Sequence, residues 1–366
     1  MNTSESPSEN TNPSAIGAEK PYIVESLTGG AGHVPVWFMR QAGRSLPEYK
    51  EARGSTSMLE SCLQPDLACE ITLQPVRRYG VDAAIFFSDI VVPLYAAGVG
   101  VDIKAGVGPV MDEPVRDAAA VDRLPELTED ALAPVAEAVR LVRAELDPAK
   151  ALIGFAGAPF TLASYLVEGG PSKNHEHTKS LMHSEPELWD RLMRALSGMT
   201  TQFLRAQVGA GADAVQLFDS WVGALDRSDF ERYVAPYSRE ILADPALADL
   251  PRTYFGVGTG ELLPSISQLG VSTVGVDWRV PLDVAQNRVG PGKTLQGNLD
   301  PALLLADTDV LEAKTAEILG AGNRAIASGA TGHVFNLGHG VLPGTDPDAL
   351  ARVVDIVHSY REGLAY

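Results

Sequence analysis

Ala83-Ala84-Ile85-Phe86-Phe87, an apolar run that stops abruptly at Ser88-Asp89, decides how the rest of the chain is read. A strand buried on both faces shows continuous apolar residues rather than alternation, as in a parallel sheet covered by helices. What precedes the run agrees. Residues 65–79, PDLACEITLQPVRRY, read as a helix with proline in its first turn and Gly80 as its C-cap. A helix delivering the chain into a short buried strand is the repeating unit of α/β folds.

The same unit recurs outward in both directions. Short apolar runs stand at 36–39, 152–155, 214–218, 253–256, 274–276, 294–297 and 334–337, with helical stretches at 128–146, 186–208, 307–319 and 347–361. Thr128 is placed as an N-cap. Residues 93–127 are rich in glycine and proline and read as an excursion with small strands. Eight buried runs in a chain of 366 residues predict a single-domain (β/α)8 TIM barrel over residues 21–366, with an open doubly wound sheet as the competing architecture. Most runs end in a polar or glycine-bearing turn, and in a barrel those ends converge on the face where active sites lie. Residues 1–20 are polar and lack an apolar signal core, and are expected to form a disordered tail.

One of those turns is unusually cationic. Residues 35–53, PVWFMRQAGRSLPEYKEAR, follow an apolar run with Arg40 and Arg44, and Arg53 comes after Lys50. Residues 41–43 are small and suit a loop. Guanidinium forks match carboxylates and phosphates, so this loop reads as a polyanion site, or alternatively as a solvated basic loop. The formal net charge of −18 argues against a nucleic-acid or anionic-membrane binder, so an anion must find a local basic pocket. No apolar stretch is long enough to span a bilayer. Cys62 and Cys69 read as buried free thiols on roughly one face of a helical segment, in a cytoplasmic protein.

Other motifs carry less. Residues 256–261, GVGTGE, follow a strand, but the third glycine of a dinucleotide fingerprint is needed where Glu261 stands, so a tight turn is the better account. His175, His177 and His183 lack companions at metal-ligand spacing and read as a solvated helix surface. Asp89 would emerge from an apolar wall and need a cation or N–H partner, unless it is a structural acid. His339 lies in a glycine-flanked turn that lets a ligand approach closely. Tyr165 could orient a substrate or simply pack, and Ser220 could donate to a carboxylate or cap the next helix.

Together these stretches resemble the uroporphyrinogen decarboxylase family. The matching segments are PVWFMRQAGRSLPEYKEAR, AAIFFSDIVVP, GFAGAPFTLASYLVEGG, LFDSWVGAL, LQGNLDP and FNLGHGVLPGTDPDAL, in the family's order from about residue 22 onward. Phe38 and Trp221 vary the wording of two motifs. The resemblance implies a homodimeric (β/α)8 barrel with no metal or organic cofactor. Its implied activity is decarboxylation of the four acetates of uroporphyrinogen III to methyl groups, giving coproporphyrinogen III for haem and related tetrapyrroles. It further implies that Arg40, Arg44 and Arg53 face substrate carboxylates and that Asp89 meets the pyrrole N–H groups. Tyr165, Ser220 and His339 fall on its remaining substrate contacts. The competing readings are a cobalamin-linked methyltransferase on a related barrel, which would need a His-x-Cys pair and a later Cys that this chain lacks, and a non-catalytic tetrapyrrole carrier.

Overall fold

A computed structural model of the chain describes residues 21–29 and 33–360, so the expected tail at 1–20 lies outside the described residues. The strands are β1 (Ala83–Ile85), a hairpin of β2 (Val101–Lys104) and β3 (Gly108–Met111), then β4 (Ala151–Gly157), β5 (Ala214–Asp219), β6 (Arg252–Gly256), β7 (Thr273–Gly275), β8 (Thr294–Gln296) and β9 (Gly332–Val334). All but the hairpin join one sheet in the order β1-β4-β5-β6-β7-β8-β9, with every pair parallel. The antiparallel hairpin accounts for the small strands expected within 93–127.

The sheet curls around a shared interior. Gln296 on β8 donates through Nε2 to Gln216 Oε1 on β5 at 2.9 Å. In a flat sheet strands three places apart would be separated by about 14 Å, at roughly 4.8 Å per strand. The indole N–H of Trp37 donates to Gln296 Oε1 at 3.2 Å, so the segment before Arg40 shares that interior. Trp37, Gln216 and Gln296 are all buried. Side chains fill the space enclosed by the strands.

The expected first strand, 36–39, is reduced to a single parallel bridge between Val36 and Phe335. Trp37 N–H donates to Phe335 C=O at 3.3 Å and Phe335 N–H to Pro35 C=O at 2.8 Å. On the other side Asp82 N–H donates to Val36 C=O at 2.9 Å, while the Asp82 carboxylate accepts the Val36 N–H at 2.7 Å. A side chain takes the place of the ladder there, so the described sheet has seven strands rather than eight. The last expected strand also shifts. β9 ends at Val334, and Leu337 leaves it to bridge Leu299.

Helices cover the outside. Pro65–Tyr79 ends at Gly80 in the left-handed conformation (φ 69°) that a β-carbon disfavours. Glu129–Glu145 starts at Thr128, whose hydroxyl accepts the Ala131 N–H at 3.3 Å. Pro186–Gly209 and Thr308–Ala327 bury Leu192, Leu196, Phe203, Leu311 and Leu319. Each such burial contributes about 1.5–3 kcal/mol. Cys62 and Cys69 are free and buried, but they lie on separate helices, Met58–Cys62 and Pro65–Tyr79, because Pro65 starts a new one. Among the described residues no helix is long and apolar enough to cross a membrane.

Candidate active site

Strand direction gathers the candidate residues. Asp89 follows β1, Tyr165 lies on the helix Pro159–Glu168 after β4, Ser220 follows β5, and His339 comes shortly after β9. Arg40 follows the bridged segment at Val36. These are all carboxyl ends of parallel elements, and they open on one side of the sheet.

The cationic loop is more ordered than its composition suggests. Residues 41–43, expected as loop, enter a helical turn, Ala42–Ser45. Gln41 sets it up, donating through Nε2 to Phe38 C=O at 2.7 Å while its own carbonyl accepts Ser45 Oγ–H at 3.0 Å. Arg40 adopts φ 53°, the left-handed region that costs a non-glycine residue about 1 kcal/mol. The loop after β9 is fastened to it, with Val341 N–H donating to Met39 C=O at 3.1 Å and Gly344 N–H to Arg44 C=O at 3.3 Å. Arg40 and Arg44 both keep exposed surface, while partial burial of the Arg44 side chain and the neighbouring charge of Arg40 lower the pKa of Arg44.

Asp89 lies just past the carboxyl end of β1, within the field of Arg40. It keeps a solvent-facing surface, yet burial raises its carboxyl above the usual aspartate range. Arg40 and the backbone N–H groups of Val91 and Ile90 act in the opposite direction, with Val91 donating at 3.1 Å. Tyr165 is buried beside it, its phenol pKa raised by burial, lowered by Arg40 and raised by Asp89. Its ring meets Trp221 edge-on at 5.9 Å. Half-buried Ser220 makes no hydrogen bond among the described residues.

His339 faces the same cations. Burial first, then Arg40 and Arg44, lower its pKa to about 4. Its Nδ1 accepts the Gly340 N–H at 2.6 Å, which leaves Nε2–H as the donor of a neutral ring. Arg53 stands further out. Its guanidinium lies 5.4 Å from the Tyr49 ring centre, and its Nε is buried without a protein partner. The link inward is Cys62, whose thiol is pushed up by burial and then by the charge of Asp89, and which in turn acts on Tyr49.

Three features escaped the sequence reading. Asp219 is fully buried, accepting Thr161 Oγ–H at 2.6 Å, Thr161 N–H at 3.2 Å and Tyr254 O–H at 2.5 Å, and burial pushes its pKa up to about 6. The Thr161 hydroxyl also accepts the Trp221 N–H at 3.2 Å, tying the helix of Tyr165 to the turn of Ser220. Its adjacency to Ser220 at a strand end was the available signal. His175, expected on a solvated surface, is instead buried with its ring 5.4 Å from Trp221, whereas His177 and His183 are exposed. Asp277, just past β7, accepts the Gly258 N–H at 2.5 Å and the Arg279 N–H at 3.0 Å and pairs with the Arg279 guanidinium at 2.6 Å. That closes the glycine cluster as a βα turn. No group of three or more potential metal ligands occurs among the described residues.

The arrangement is a carboxyl group, a phenol and a neutral imidazole that all lie within the field of Arg40, with Arg44 next to it. It can bind several carboxylates and stabilise one developing positive charge at Asp89.

Comparison with known proteins agrees with this architecture. By structure the chain is similar to a methyltransferase from Methanosarcina mazei, with a TM-score of 0.77 at 18% identity over 92% of this chain and 97% of that one. It is also similar to a B12-independent methionine synthase from a Shewanella species, with a TM-score of 0.52 at 13% identity over 91% and 98%. At such identities the likeness concerns the fold alone. By sequence it is 58% identical to the uroporphyrinogen decarboxylase of Rhodococcus opacus over 93% of this chain and 96% of the relative. It is 60% identical to that of Corynebacterium diphtheriae over 92% and 98%, and 62% identical to that of Streptomyces coelicolor over 89% and 90%. The family model for uroporphyrinogen decarboxylase (URO-D) matches residues 28–360, and the chain belongs to that family.

Proposed function

We propose that this chain is a carboxy-lyase that removes carbon dioxide from the four acetate side chains of uroporphyrinogen III, leaving methyl groups. The observation that carries the reading is Asp89 at the carboxyl end of β1, within the field of Arg40.

Loss of carbon dioxide from an acetate leaves an electron pair that must be accepted. Protonation of the adjoining pyrrole carbon makes the ring a cation conjugated to the departing carboxylate. As the C–C bond breaks, its electrons neutralise that cation and form an exocyclic methylene, which a second proton converts to methyl. Ionised Asp89, hydrogen-bonded to the pyrrole N–H groups, stabilises the cation as it forms, and its fixed position avoids reorganisation. Arg40 and Arg44 hold substrate carboxylates and supply orientation, with Arg53 as an outer cation. Tyr165, Ser220 and the Nε2–H of His339 complete the contacts. Within this scheme the reaction needs no cofactor, since the protonated pyrrole is the electron sink.

On the same reading the barrel is closed as (β/α)8 in one domain over residues 21–366, the hydrogen bonds of Val36 to both flanking segments supporting closure. The working protein is a homodimer in the cytoplasm.

The test is anaerobic incubation with uroporphyrinogen III and no added cofactor, followed by chromatography of the oxidised porphyrins. A ladder from eight carboxylates to four is expected. Complete absence of that ladder would refute the assignment.

A further inference from the structure

We propose that Arg279 is a further substrate-carboxylate contact of this cleft, fixed in place by the Asp277 carboxylate and the Trp278 indole. The proposal rests on the decarboxylase reading above and names a residue that reading does not use.

The guanidinium is built into position. Its carbon lies 4.0 Å from the centre of the Trp278 ring, and its Nη1 donates to Asp277 Oδ2 at 2.6 Å. Its side chain is nevertheless 50% exposed, while that of Asp277 is 1% exposed. Stacking on a ring face leaves the in-plane edges of the guanidinium open, and neither Nη2 nor Nε meets a protein acceptor among the described residues. Asp277 already accepts two backbone N–H groups, from Gly258 and Arg279 itself. The remaining donors are therefore fixed, charged and open to solvent.

Their location is the cleft. The Trp278 ring lies 6.3 Å from the His339 ring. Gly338 packs so closely on the Trp278 backbone that a β-carbon at 338 would collide with the Trp278 main-chain nitrogen. The charge of Arg279 also acts on His339 in the same sense as Arg40 and Arg44. The charges of Arg40, Arg44 and Arg279 all act on this one imidazole, Asp277 alone acting in the opposite sense, in a chain of formal net charge −18. A ligand with carboxylates around its rim satisfies all three, whereas a monoanion would leave the outer two without a partner.

The experiment compares wild type, Arg279→Gln and Arg352→Gln in anaerobic steady-state assays with uroporphyrinogen III, alongside thermal unfolding. Arg352 pairs with Glu312 on the outer helices and serves as the surface-charge control. For Arg279→Gln the expected result is a KM raised about tenfold or more, the loss of one charge-assisted contact, with kcat within about twofold. Its unfolding midpoint and the kinetics of Arg352→Gln should match wild type. An unchanged KM overturns the proposal, and a lowered midpoint with unchanged KM assigns Arg279 to holding Asp277 alone. If wild type itself produces no ladder while folded, the decarboxylase reading falls, and this proposal with it.

Discussion

The stem of Arg40 lies against Gly340 so closely that a β-carbon at 340 would stand 2.8 Å from Arg40 Cβ, 2.9 Å from Cδ and 3.1 Å from Cγ. The loop bearing His339 and the loop bearing the arginines therefore share one contact, and the absence of a side chain at 340 is what allows it. Gly340→Ala is expected to displace Arg40, lowering kcat/KM by about tenfold to hundredfold, because an error of roughly 1 Å in a positioning group has that effect. In an Arg40→Gly background the same change should add little. Equal losses in both backgrounds would show that Gly340 does not act through Arg40.

The imidazole of His339 should titrate near pH 4 rather than at its ordinary 6.5. Its folded pKa lies below the unfolded one. The neutral ring's contribution to stability is therefore present above about pH 6.5 and is lost as pH falls toward 4. Nuclear magnetic resonance of ring-labelled histidine, with His339→Gln to assign the signal, checks this. A midpoint at 6 or above would mean that the ring is neither buried nor held in the field of the guanidiniums.

Asp219 has the opposite linkage. Its folded pKa of about 6 exceeds the ordinary 3.8, so its contribution is full below about pH 3.8 and declines as pH rises through 6. A shift of that size corresponds to about 3 kcal/mol. Relative to Asp219→Asn, the wild type should lose stability between pH 4 and 7.5, read by denaturant unfolding at several pH values. A difference independent of pH would place the carboxyl in a better-compensated setting.

The interior chain of Trp37, Gln296 and Gln216 is also testable. Gln296→Leu leaves the Trp37 N–H and Gln216 Oε1 without their partners, and an unsatisfied buried group costs about 1–3 kcal/mol. The midpoint in urea should fall accordingly. No loss of stability would show that the two groups find other partners.

Much of this was legible in the sequence, for a physical reason. Buried parallel strands must be apolar throughout, so the runs after residue 83 stand out, and polar residues just past them, such as Asp89 and Ser220, are placed by strand direction alone. The segment before Arg40 was harder. Its pairing depends on Asp82 supplying a carboxylate where a backbone partner would stand, which no periodicity reveals. His175 looked solvated because its sequence neighbours are polar, yet its burial comes from Phe160 and Trp221, which lie far away in sequence. Arg279 was hidden for the same reason, its meaning arising from packing between Trp278 and the loop of Gly338.

The central claim is that an ionised carboxylate at 89 stabilises positive charge on the substrate, and Asp89→Asn tests it most directly. The amide keeps the size of the side chain and one acceptor but not the charge. Single-turnover anaerobic assays should show the first decarboxylation slowed by about a hundredfold or more, with substrate binding changed far less, as expected when one electrostatic stabiliser is removed. A variant that turns over at close to the wild-type rate would contradict the account.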